Sequence, residues 1–129
     1  MAAAKAAADT ASDQNIANIT ADVAAIQDIV TDLTTVAANN PSDTSIADKL
    51  ADAQQQLATA ETALTDAQNQ KTAADQATTL ADVQTAVDAG QTDENAAQTA
   101  LEKAQADQTT AQAQADQNLA DAKTAAEQA

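Results

Sequence analysis

Pro41 and Gly90 are the only proline and the only glycine in 129 residues. Both residue types are the usual punctuation of a folded chain, so a sequence almost without them has few places to turn. Alanine, glutamine and leucine fill the intervals, and their propensities favour long helices despite many threonines and aspartates. The two punctuation marks lie in turn-like surroundings, Asn39-Asn40-Pro41-Ser42-Asp43 and Asp88-Ala89-Gly90-Gln91-Thr92-Asp93. They predict helix 1 over about 10–38, helix 2 over about 43–77 and helix 3 over about 93–128. Residues 79–89 either continue helix 2 or form a short fourth helix capped by Thr78 or Thr79. Ser42 or Asp43 is expected to cap helix 2, and Thr92 or Asp93 to cap helix 3.

What such helices can bury is limited. Of the residues in the 44% hydrophobic class, 39 are alanine, and five Ile, seven Leu, five Val and Met1 complete it; there is no aromatic residue. The larger side chains concentrate in the first segment, where Ile16, Ile19, Val23, Ile26, Val30 and Leu33 follow steps of three and four. That is a heptad seam, with positions a at 16, 23 and 30 and d at 19, 26 and 33. Ile29 and Val36 add the neighbouring g positions, so the stripe is wide enough to touch two other helices. In the second segment Ile46, Leu50, Ala53, Leu57, Ala60, Leu64 and Ala67 alternate large residues with alanines that permit close approach. In the third, Ala97, Leu101, Ala104, Gln108, Ala111, Ala115, Leu119, Ala122 and Ala126 suggest an eleven-residue period and a nearly straight helix. The fold expected is all-α, one domain over 1–129, an elongated antiparallel helical bundle or hairpin with coiled-coil packing. The seam serves either an oligomer, a trimer being favoured by Ile and Val at a with Ile at d, or the core of a monomer.

The missing side chains narrow the function. The chain has no His, Cys, Arg, Tyr, Trp or Phe, which removes the commonest general base, thiolate chemistry, bidentate anion clamps and aromatic platforms. No enzyme, cofactor or small-molecule substrate is expected. Ser45 and Lys49 share helical spacing and read as a surface pair. A net charge of −15 without a basic run opposes nucleic acid and anionic membrane surfaces. No stretch is apolar enough to span a bilayer, and the opening MAAAKAAADTASDQ does not read as a signal peptide. The like-charge pairs Asp9/Asp13, Asp28/Asp32 and Asp48/Asp52 read as a solvated acidic face rather than a metal site.

The segment IANITADVAAIQDIVTDLTTVAANN resembles coiled-coil segments of bacteriophage fibre and virion-decoration proteins, over about residues 9–40. It shares their Ile/Val heptads interleaved with Asp, Asn and Thr. The resemblance implies a non-enzymatic structural protein at a virion surface, commonly trimeric, attached by one end and assembling through Ile16, Ile19, Val23, Ile26, Ile29, Val30, Leu33 and Val36. A monomeric bundle, natural or designed, and a protective surface-coating amphipathic protein are the alternatives, with a cytoplasmic location for a non-viral chain. The tail EKAQADQTTAQAQADQNLADAKTAAEQA resembles desiccation-protective and granule-coating helical proteins. Alanine and threonine richness also resembles helical ice-binding proteins, but only Thr20/Thr31 and Thr99/Thr110 hold their eleven-residue spacing.

Overall fold

A computed structural model describes all 129 residues, and it contains three helices and no strand. Helix α1 spans Ala2–Asn39, α2 Thr44–Gln76 and α3 Leu80–Gln128. At a rise of about 1.5 Å per residue these are rods of about 57, 50 and 74 Å. Links of four and three residues fold them up, down and up, so α2 runs antiparallel to both neighbours and α1 lies parallel to α3. Each helix packs against the other two.

The first link ends at Asp43, whose carboxylate accepts from the Ser45 and Ile46 backbone N–H groups at 3.0 and 3.4 Å. Pro41 precedes that cap and stops α1 from continuing. The second link falls at Thr78-Thr79. Ala77 turns extended, and Thr79 Oγ1 accepts the Asp82 N–H at 3.1 Å to start α3.

Two helix boundaries differ from the sequence-based expectation. The chain is already helical at Ala2 rather than near residue 10, because alanine is the best helix former and Ala8 has Ala74, Ala77, Val83 and Ala86 to pack on. More consequentially, no turn occurs at Gly90. α3 passes through it without a positive φ, so the expected cap at Thr92 or Asp93 is absent and residues 79–89 supply the cap and first turns of α3. A mid-helix glycine costs only about 1 kcal/mol relative to alanine, and strong helix formers on both sides override it. Thr92 turns its hydroxyl back to the Asp88 carbonyl at 3.2 Å, a bond made inside a helix rather than at its start.

Burial follows a seven-residue spacing in all three helices. The buried positions include Ser12, Ile19, Ile26 and Leu33 in α1, Ile46, Ala53, Ala60, Ala67 and Ala74 in α2, and Val83, Gly90, Ala97, Ala104 and Ala111 in α3. The eleven-residue reading of α3 is thereby corrected. Leu119, seated on that period, is 72% exposed, and Ala122 and Ala126 are exposed with it; Leu119 and Ala122 face the open cleft beside the α1–α2 link, where no helix covers them. The core is unequal in its contributions. Twelve of the twenty buried hydrophobic residues are alanine, and six of the eight larger ones belong to α1.

Candidate functional site

The eight-residue seam packs within the chain. Ile19, Ile26 and Leu33 are completely buried, Val23, Ile29 and Val36 nearly so, and Ile16 and Val30 lie half-buried against the same cluster. The d positions therefore form its centre line, with a and g on the flanks. This is the geometry of one helix seated in the groove between two others, and the wide stripe is what that seat requires. Ala53, Ala60 and Ala67 from α2 and Ala97, Ala104 and Ala111 from α3 form the opposing walls. Leu50, Leu57, Leu64 and Leu101 seal the edges, half-buried. Methyl-sized side chains on α2 and α3 thus make room for the branched ones of α1.

Toward the α2–α3 link this packing is interrupted. Ala8, Ala74, Ala77, Val83 and Ala86 form a second, smaller cluster. Between the two clusters α1 buries two polar residues, Ser12 and Asn15, with Gly90 of α3 alongside. A β-carbon at position 90 would lie 3.2 Å from Asn15 Nδ2 and 3.9 Å from Gln70 Cβ. The glycine thus provides the space that the Asn15 amide occupies. Sequence reading missed this layer. Its signal was the seven-residue step from Val83 through Gly90 to Ala97, masked by the turn-like company Gly90 keeps.

The far end is tied by Asn118, which also escaped the sequence reading although it follows Ala111 by seven residues. Its Nδ2 donates to Asn40 Oδ1 at 3.0 Å and to Asp43 Oδ2 at 2.8 Å. Hydrogen bonds from Ser45 and Asn118 hold the Asp43 carboxyl below its usual value. An open cleft of about 840 Å³ lies between this link and α3, with Pro41, Asp116 and Leu119 on its walls.

The remaining polar contacts lie on the interfaces. Lys71 reaches across from α2 to Asp13 at 2.6 Å, and Lys49 to Asp107 of α3 at 3.8 Å. The Asp13 hydrogen bond raises the Lys71 ammonium above its usual value. Asn18 donates to Glu94 at 2.9 Å and Gln108 to Asp32 at 2.9 Å, both joining α1 to α3. Two members of the aspartate pairs noted in the sequence, Asp13 and Asp32, therefore have partners on other helices, and no three acidic side chains gather as an ion would need. Ser45 donates to Asp43 while Lys49 turns toward Asp107, so that pair is not brought together.

Carboxylates also face each other between helices, an arrangement set by axial register and invisible in one-dimensional spacing. Asp9 meets Asp75 within hydrogen-bonding reach across α1 and α2, and that contact, then burial, raises its pKa. Burial pushes up the carboxyls of Asp22 beside Glu94, Asp93 beside Asp66 and Asp107 beside Asp52. No helix of the chain is long and apolar enough to cross a membrane. No protein family, curated protein or solved structure matches the chain.

Proposed function

We propose that the chain is a non-enzymatic structural element, an acidic three-helix strut belonging to a larger assembly. One observation carries this reading: the whole seam from Ile16 to Val36 packs within the chain, as the α1 side of the larger of its two core clusters. A side-chain set without His, Cys or Arg supports the non-enzymatic part. The resemblance of residues 9–40 to fibre and decoration segments supplies the kind of particle, a virion surface, to which such a strut would belong. Left-handed wrapping of the helices goes with the seven-residue burial spacing and is part of the proposal.

Assembly of several copies through the seam would compete with this arrangement, because it withdraws Ile19, Ile26 and Leu33 from the Ala walls of α2 and α3. Light scattering with circular dichroism over a dilution series separates the two uses. The expected result is a helical monomer of 13.0 kDa whose melting temperature does not depend on concentration. Small-angle scattering should give a longest dimension of about 75 Å, set by α3. A trimer that melts lower on dilution overturns the intramolecular use of the seam, and a globular scattering profile overturns the strut.

A further inference from the structure

α1 is held unevenly along its length. Between Ile16 and Val36 it buries six large aliphatic side chains, whereas between Ala2 and Asn15 it buries only Ala8, Ser12 and Asn15. Burial stabilises in proportion to apolar area, and one methyl group with two polar side chains supplies little of it. The other members of the smaller cluster, Ala74, Ala77, Val83 and Ala86, come from α2, α3 and the link that joins them covalently. The polar ties of this part of α1 are weak in kind. Lys5 Nζ donates to the Asp75 carbonyl at 2.8 Å and Lys71 Nζ to Asp13 Oδ1 at 2.6 Å, both at exposed positions, where such contacts add little. A penalty stands against them: Asp9 Oδ1 is sealed from solvent without a hydrogen-bond partner, and water reaches that oxygen once the segment leaves its neighbours.

We infer that residues 2–15 of α1 form a detachable strap, which lifts from the groove between α2 and α3 at the Ser12–Asn15–Gly90 layer while the core from Ile19 to Val36 stays closed. The layer sets the point of release. Beyond it, each further turn of α1 to be lifted would expose an Ile, Val or Leu, and before it no such residue occurs. Lifting returns Asp9, Ser12 and Asn15 to water and uncovers the floor of the groove at Ala74, which is completely buried while the strap is down. Ala86 stays covered. It lies seven residues before Asp93, which lines the surface between α2 and α3 together with Asp66, so Ala86 faces α2 and keeps that partner when α1 departs. One end of the rod can thus open without loss of the α2–α3 pairing or of the seam.

The chain has no cysteine, so single introduced thiols report opening by their reaction with excess disulfide reagent under native conditions. Ala8→Cys, Ala74→Cys, Ala86→Cys and Ala60→Cys each replace a buried alanine, and circular dichroism checks that each variant is folded. The Ala8→Cys and Ala74→Cys thiols are expected to react at similar rates, at least about 10-fold faster than the Ala86→Cys thiol and about 100-fold faster than the Ala60→Cys thiol. In about 1 M urea the first two rates should change by less than about 2-fold, because lifting the strap exposes little surface, while the Ala60→Cys rate rises by about 5-fold or more. Hydrogen exchange on the unsubstituted chain gives a second reading, free of any effect of substitution on folding: a lifted segment of this length is a marginal helix on its own, so amides of residues 6–15 should exchange before those of 84–90. Equal rates for the Ala8→Cys and Ala60→Cys thiols overturn the strap, as do amides of 6–15 protected to the level of 84–90. An Ala86→Cys thiol as fast as the Ala8→Cys thiol also overturns it, because the whole end then opens together. So does an Ala74→Cys thiol as slow as the Ala60→Cys thiol, because the groove then stays covered.

Discussion

The contact between Gly90 and Asn15 permits a sharp test, because two known effects oppose each other there. Replacing glycine by alanine inside a helix stabilises by about 1 kcal/mol, partly by restricting the unfolded chain. Here the new methyl would stand 3.2 Å from Asn15 Nδ2, closer than a relaxed carbon–nitrogen contact, and the amide must retreat by a few tenths of an ångström. Asn15 is only 6% exposed, so that retreat disturbs packed neighbours. Gly90→Ala alone is therefore expected to change stability by less than about 0.5 kcal/mol in either direction. In an Asn15→Ala background the space is free, and the same substitution should stabilise by about 1 kcal/mol, or about 3–5 °C in melting temperature. Urea unfolding followed by circular dichroism on the four chains gives a coupling of about 0.5–1.5 kcal/mol as the difference. Equal stabilisation in both backgrounds would falsify the close approach. Destabilisation beyond about 1 kcal/mol in both would show that α3 is not continuous at position 90, since only a special backbone there penalises alanine that strongly.

Two further predictions follow from how unevenly the core is built. Ile26→Ala or Leu33→Ala should each lose about 2–5 kcal/mol in urea melts, whereas Leu119→Ala should change stability by less than about 0.5 kcal/mol; comparable losses at all three sites would refute the seam's position. In native-state hydrogen exchange, amides near Ala8 and Ala74, beyond the Ser12–Asn15–Gly90 layer, should open at lower free energy than those between Ile19 and Leu33. Uniform protection along the rod would show that the polar layer does not divide the core.

The legible and illegible parts of the chain divide along its supply of large apolar residues. In α1 the branched residues stand against polar ones, so steps of three and four identify one face, and all eight seam residues lie in or against the core. In α2 the alternating leucines and alanines show which face turns inward. Its alanine row forms the fully buried line while Leu50, Leu57 and Leu64 guard the edges, which a ranking by hydrophobicity alone would reverse. α3 lacks that contrast. With 39 alanines in the chain, several periods can be threaded through it, and a glycine beside Asp, Asn and Thr looks like a turn. The opposing carboxyls depend on how far each helix slides against its neighbour. That is settled by packing and by the link lengths, and no pattern along one helix contains it.

The unequal division of the core also bears on what kind of object the chain makes. Hydrophobic burial scales with apolar area, and twelve buried alanines contribute far less area than twelve leucines would. What alanine provides instead is helix propensity and close approach of backbones. A bundle of this kind draws much of its order from local helix formation, and its large side chains serve mainly to fix the register of α1 between two alanine-lined helices. The buried Asn15 strengthens that role, because a polar side chain fitted to a glycine on another helix disfavours sliding by a turn more than an all-aliphatic layer does. Shape is thus specified more strongly than stability, which suits an element whose task is to hold a length and an orientation within an assembly.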